Sequence, residues 1–171
     1  MKISIGAGKT KKNGFTSIDA YSEYADIKAF AHDTGFEKNT IDEIFCSHML
    51  EHVDRGDLDK TILHWFDILK PGGKIVVLVP NAELYIAEWL DAVKNKNWEH
   101  LEQWGTRWIM GWEAKGVGMY HTNLFHPETL KRLFEKNGFT VLSSGIVSTR
   151  VKNTNHFEYR AHGDIECIIT K

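Results

Sequence analysis

Hydrophobic positions change period several times along the 171-residue chain. Ile3 and Ile5 alternate with polar neighbours, which predicts a short strand over Lys2–Ile5. Gly6-Ala7-Gly8 breaks it, and Asn13-Gly14 marks a turn before a second strand over Phe15–Asp19. Only nine residues, Gly6 to Gly14, separate the two. That is too short for a helical crossover, which takes at least about 10–12 residues. A third strand is expected over Asp26–His32 and a fourth, short and apolar, over Asp42–Ser47. The spacing of Leu58, Ile62, Leu63, Phe66 and Leu69 predicts a helix over Asp57–Leu69, ended by a turn at Pro71-Gly72-Gly73. Lys74–Val79 is an unbroken apolar run rich in β-branched residues, the pattern of a strand buried on both faces.

Residues 81–120 interrupt this alternation with mostly helical sequence. His126-Pro127-Glu128 then opens a helix whose apolar face is Leu130, Leu133 and Phe134, closed by Asn137-Gly138. Phe139–Ser148 and Phe157–Ile169 are expected to pair as a final antiparallel hairpin, joined through Ser148–Asn155. Strands alternating with helices predict an α/β sheet in one domain over 1–171. A chain of this length buries roughly 70% of its unfolded surface and needs no covalent staple.

Composition narrows the partners. The two cysteines, Cys46 and Cys167, sit in apolar runs and predict buried thiols, not a disulfide framework. A net charge of −2 argues against nucleic acid as a partner. The cluster Lys9, Lys11 and Lys12 is expected to be a solvated loop. No apolar run approaches the roughly 20 residues that cross a bilayer, and no secretory leader precedes Ile3, so no membrane partner and a cytoplasmic location are expected. Five of the six tryptophans, Trp89, Trp98, Trp104, Trp108 and Trp112, fall within 81–120. Tyr85 and Trp89 are four apart, as are Trp104, Trp108 and Trp112, which makes an aromatic stripe on helix. The stripe is expected to pack on the domain or across a homodimer, or to close as a lid over an acceptor pocket that no preceding helix covers.

Two segments carry the chemistry. The first is Lys2-Ile3-Ser4-Ile5-Gly6-Ala7-Gly8, followed by Ser17-Ile18-Asp19. The second holds Ser47-His48-Met49-Leu50-Glu51-His52-Val53 and, further on, Leu69-Lys70-Pro71-Gly72-Gly73. Glycines at a strand's carboxyl end let backbone approach a ligand closely, and open α/β sheets bind ligands at that end. Together the segments resemble the class I S-adenosylmethionine (SAM)-dependent methyltransferases, in particular the short type-11-like subgroup.

The resemblance implies a Rossmann-like methyltransferase fold and SAM as cofactor with S-adenosylhomocysteine as product; it does not fix the substrate, and a small-molecule or glycan hydroxyl is the expected acceptor. It implies a cofactor site made of Gly6, Ala7, Gly8, Asp19, Asp33, Ser47 and Leu50. Asp19 would accept the ribose hydroxyls, Asp33 would face the adenine amino group, and Leu50 would pack on the cofactor. His48 and His121 would be the catalytic groups, as base or acceptor-orienting residues, with His52 as a further candidate. Ser4 stands where the family usually carries an acid, and the first loop is short. These departures keep a second reading open, a SAM- or nucleotide-binding protein of the same fold with impaired catalysis. The run His48-x-x-Glu51-His52, with His121, is also similar to the E-x-x-E-H set of some metal-dependent O-methyltransferases. Glu51 and His52 are expected instead to cap and hydrogen-bond the start of a helix, and no metal site is assigned.

Overall fold

The computed structural model describes residues 1–105, 107–111, 120–148 and 163–171. Within them a six-stranded sheet runs in the order β2-β1-β3-β4-β6-β5. β1 (Lys2–Ile5), β2 (Thr16–Ile18), β3 (Ile41–Ser47) and β4 (Leu69–Pro80) are parallel. β6 (Gly163–Thr170) runs antiparallel both to β4 and to β5 (Thr140–Ser148). The parallel sheet closed by an antiparallel hairpin is therefore as the sequence predicts. Phe157–His162 and most of the expected connection lie outside the described residues.

One core joins Ile3, Ile5, Ile44 and Cys46 of the sheet to α1 (Leu58–Ile68) and α5 (Pro127–Glu135). The buried face of α1 is Thr61, Ile62, Trp65 and Ile68, while Leu63 is exposed. The apolar spacing thus locates the helix but points Leu63 inward where Trp65 belongs. In α5 Leu130, Leu133 and Phe134 are buried as expected. Its start is capped reciprocally: Glu128 N donates to His126 Nδ1 at 3.2 Å, and His126 N donates to Thr129 Oγ1 at 3.0 Å. Both cysteines are free and buried, and burial pushes both thiols up, Cys167 to about 11.

Two expectations need correction. The third strand does not form over Asp26–His32; isolated bridges join Ile27 to Ile18 and Phe30 to Asp33. Beyond Ile27 the backbone is met by side chains and not by a neighbouring strand. Trp65 Nε1 donates to the Ala31 carbonyl at 2.9 Å, and Thr34 N lies 3.1 Å from His64 Nε2. The second concerns Pro71-Gly72-Gly73, which is not a turn before the strand. The helix stops at Ile68, and these residues lie within the irregular first part of β4, where the register with β3 shifts.

The inserted stretch holds α2 (Ala82–Lys94), α3 (Trp98–His100), one wide turn over Leu101–Gly105 and α4 (Arg107–Met110). It leaves and rejoins the domain at one place: Asn81 bridges Phe125, and Ala82 N donates to the Phe125 carbonyl at 3.1 Å. Tyr85 is buried in it, and Trp89 packs against the Gly105 backbone, where an added Cβ would stand 3.2 Å from the indole. The side chains of Trp104 and Trp108, and all of Trp112, fall outside the described residues, so the aromatic stripe is seen only in part. No helix among the described residues is long and apolar enough to cross a membrane.

Candidate active site

The site assembles at the carboxyl ends of β1, β2 and β3. After β1, Gly6 and Gly8 take φ values of +70° and +56°, open to glycine at no steric cost. Gly6 N and Ala7 N both donate to the Ile18 carbonyl, at 2.8 and 3.3 Å. Asp19, at the end of β2, ties the turn down. Its Oδ2 accepts from Gly8 N at 2.9 Å, and its Oδ1 accepts from Tyr21 N and Ser22 N, each at 2.9 Å. The Ser22 hydroxyl closes the knot by donating to the Gly8 carbonyl. A carboxylate offers about four acceptor positions, so three N–H donors leave Asp19 one for a ligand.

The structure groups the other sequence candidates differently. Ser47 ends β3 half-buried, one residue beyond the Ile5–Cys46 pairing that leads into the glycine turn. Leu50 is fully buried in the core, so it offers no surface to a cofactor. Its neighbour Met49 is the side chain that lies against Gly6, because a Cβ on Gly6 would fall inside it. Asp33 is exposed, its amide bonded to the Phe30 carbonyl and its charge facing His64 of α1; no bond among the described residues links it to the glycine turn.

His48 follows β3 in a left-handed conformation, φ +50°. Its Nε2 lies 3.1 Å from Asp164 Oδ2 and its Nδ1 3.6 Å from Glu51 Oε1. Hydrogen bonding to Asp164, and then to Glu51, pushes the imidazole up to about 10. The ring is 48% exposed, so solvent tempers the effect, but the direction is clear. His48 is therefore an imidazolium at neutral pH, a donor and not a base. The linkage has a definite sign. From pH 6.5 to about 10 the folded chain holds a proton that the unfolded chain has released, so stability falls as pH rises through this window. Wild-type protein should lose thermal midpoint between pH 6.5 and about 8.5, below the range of ordinary thiols. His48→Gln should flatten that slope; an equal slope in both proteins would remove His48 as its source.

Beside this pair, Glu51, His52 and His121 converge, with one ligand atom from each lying within 4.8 Å of the others. Glu51 and His52 sit on a single tight helical turn, Leu50–His52, and Glu51 caps no backbone there. The expected capping role is thus not what holds them. His121 arrives from the exit of the insertion. Thr122 N and Asn123 N donate to the Glu51 carbonyl at 2.8 and 3.1 Å, and Thr122 Oγ1 and Asn123 Nδ2 donate to the Val53 carbonyl at 2.6 Å each. The side-chain N–H groups of Asn123 are therefore directed to Val53 and Thr122. The His52 and His121 rings lie 5.0 Å apart. Burial pulls His121 below the ordinary imidazole range, against the opposing pull of Glu51. Sequence reasoning missed Met49, Ser22 and Asp164. Asp164 could have been suspected from the strand pairing, since it stands opposite Pro80 at the end of β4.

A profile described as a methyltransferase domain matches residues 9–144. The chain belongs to the methyltransferase-domain family. No curated protein matches it. Among solved structures, the methyltransferase is similar to a SAM-dependent methyltransferase from Methanosarcina mazei, at 16% identity over 99% of this chain and 91% of that one, with a TM-score of 0.64. It is similar also to the Burkholderia thailandensis 1,6-didemethyltoxoflavin-N1-methyltransferase, solved with S-adenosylhomocysteine, at 12% identity, 99% and 70% coverage and a TM-score of 0.64. A third likeness is to the Haloferax volcanii complex of the Trm112 methyltransferase activator with a methyltransferase, at 14% identity, 99% and 80% coverage and a TM-score of 0.65. At these identities the likeness is one of fold.

The residues present fit the family's cofactor at the glycine turn. Gly8 faces open space, with no atom within 4 Å of where its Cβ would be, so a ligand can approach its Cα closely while Asp19 and Ser22 hold its N–H and carbonyl. Met49 over Gly6 is flexible and polarizable enough to lie against an adenosine or methionine group.

Proposed function

We propose that this SAM-dependent methyltransferase methylates a hydroxyl of a small molecule or glycan, with His121 orienting or deprotonating the acceptor. The observation that carries the reading is the placement of His121, half-buried beside Glu51 and His52 and strapped to the chain that follows β3. Its lowered pKa keeps the ring neutral at pH 7, the state that accepts a proton. SAM supplies an electrophilic methyl group on a cationic sulfur. With SAM bound, His121 would orient the acceptor oxygen or take its proton as that oxygen bonds to the methyl carbon and S-adenosylhomocysteine leaves. Holding the two reactants in line contributes about 7–11 kcal/mol. His48, as a cation fixed by Asp164, donates a hydrogen bond and takes no proton. The test is methyl transfer from labelled SAM to pooled hydroxyl metabolites, with product on oxygen expected. Product on nitrogen alone would sink the hydroxyl assignment.

Asp19→Ala removes the acceptor of three backbone donors, and charge-assisted bonds are worth about 1.5–3 kcal/mol each when well ordered. Calorimetry should show SAM affinity at least about tenfold weaker, the equivalent of one such bond. Unchanged affinity would take Asp19 out of the site. The lid reading of residues 84–118 predicts that tryptophan emission responds to cofactor or acceptor. A flat titration, with SAM binding shown separately, would leave only packing.

A second reading is favoured by two observations. Ser4 is buried in the acid's usual place, and Met49 covers Gly6. In that reading the protein binds S-adenosylhomocysteine and SAM but turns over no acceptor; sustained transfer in the metabolite assay excludes it.

A further inference from the structure

We propose that Glu51, His52 and His121 bind a divalent transition-metal ion, of the zinc or cobalt class, beside the carboxyl end of β3. The role given to the ion rests on the proposed function, whereas its binding does not.

The first argument is the proton on His52. Its Nδ1 lies 3.0 Å from the Tyr120 carbonyl, an atom that only accepts. Nδ1 must carry hydrogen, so Nε2 is the nitrogen that a metal would meet. It lies 3.7 Å from Glu51 Oε1, close enough for both atoms to share one ion. An imidazole whose other nitrogen is held by a backbone carbonyl is also the usual arrangement of a metal-ligating histidine.

The second argument is Glu51 itself. Its side chain is 2% exposed, and Oε2 is buried without a hydrogen-bond partner. A buried carboxylate oxygen left unsatisfied is costly, and coordination to a metal is one of the ways proteins resolve it. His48 lies near the other oxygen, Oε1, and is itself shared with Asp164. It therefore leaves Oε2 unsatisfied and is not a ligand.

The third argument is geometry. Ligand atoms bound to one zinc ion at about 2.0–2.2 Å stand roughly 3.5 Å apart. The present limit of 4.8 Å closes with small side-chain rotations. The backbone that carries the three residues is already fixed by the bonds to the Glu51 and Val53 carbonyls. A cavity of about 10 Å³, lined by Glu51, Tyr85, His121 and Asn123 among others, adjoins the cluster and has room for one water-sized group. Two imidazoles, one carboxylate and one open position make the donor set of a catalytic zinc site. Magnesium and calcium prefer all-oxygen shells and are disfavoured. An acceptor hydroxyl at the open position would be both oriented and made more acidic by the ion. His121 would then act as a ligand, and the hydroxyl proton would leave to solvent.

The test uses the full chain, free of any histidine tag and treated with a chelator, titrated with Co²⁺ alone and followed by its visible absorption. One equivalent should bind with a saturable spectrum. His52→Ala and His121→Ala should each weaken binding at least about tenfold, the lower range seen even for outer-shell changes. His126→Ala, an exposed histidine at the start of α5, should bind as wild type. Circular dichroism confirms that each variant folds, and Glu51→Gln gives a third ligand change of equal size. Lack of saturable binding, or binding that survives both histidine changes, overturns the inference. Calorimetry with S-adenosylhomocysteine on the same metal-free protein separates the two proposals. Nucleoside binding without Co²⁺ binding removes the ion and leaves the methyltransferase reading. Co²⁺ binding without nucleoside binding supports the metal site and removes the proposed role.

Discussion

Replacing His121 with alanine is expected to lower turnover about 10²–10⁴-fold, the range that a positioned acid–base group contributes. SAM affinity should stay nearly unchanged, since no bond among the described residues joins His121 to the Gly6–Gly8 turn. The backbone at 121 should hold its place without the ring. Its amide donates to the Met110 carbonyl at 2.9 Å, and Thr122 and Asn123 remain bonded to Glu51 and Val53. The loss therefore belongs to the imidazole and not to a collapsed loop. Burial lowers the pKa of this ring. The acid limb of the wild-type turnover profile should accordingly fall below the ordinary imidazole value, about 6.5. Steady-state rates across pH, with SAM affinity measured in parallel, decide the matter. An equal loss in affinity and turnover would make His121 structural.

Trp65→Ala should cost about 3–5 kcal/mol of folding stability, the usual range for emptying a buried tryptophan site. Trp65 is fully buried in the core, and its indole N–H holds the Ala31 carbonyl at 2.9 Å. The substitution thus opens a cavity and orphans an acceptor on the segment that runs on from β2. That segment begins at Asp26, whose carboxylate accepts from Ser17 N and Ser17 Oγ, at 2.9 and 2.6 Å. Loss of the indole should loosen the support behind the glycine turn as well as the core. Trp65→Phe refills most of the volume and leaves only the carbonyl unpaired, worth about 1–3 kcal/mol. Urea unfolding of the three proteins should rank wild type, Phe, Ala. A loss below about 1 kcal/mol for alanine would mean that the site relaxes around the gap.

The sheet could be read from the sequence because its strands are apolar runs with clear breaks. Lys74–Val79 and Asp42–Ser47 have strands on both sides, and Ile44, Cys46, Ile75, Val77 and Val79 are buried. The third strand misled because Asp26, Thr34 and the aromatic residues between them look extended. Their backbone groups are in fact satisfied by Ser17, Trp65 and His64, contacts between residues far apart in sequence. The same blindness applies at the site. The glycine turn with Asp19 was legible from local spacing. The pairing of His48 with Asp164 spans 116 positions and depends on the register of the last strand. Without it His48 looks like a base, and with it the ring is a cation. Leu50 and Met49 differ by one position on a tight turn, and only the turn's orientation decides which of them faces the core.

The shared bridge at Asn81 and Phe125 has a consequence for how such a protein diversifies. Among the described residues, the stretch between them is anchored at this bridge and, just before it, by the bonds of Thr122 and Asn123 to the Glu51 and Val53 carbonyls. A change in its length leaves the sheet register untouched, and each doubling of a flexible connection costs only about 0.6 kcal/mol. Under the proposed lid reading, acceptor preference would be exchanged as a cassette between the two anchors, provided that the replacement returns a Tyr-His-Thr-Asn segment to Val53.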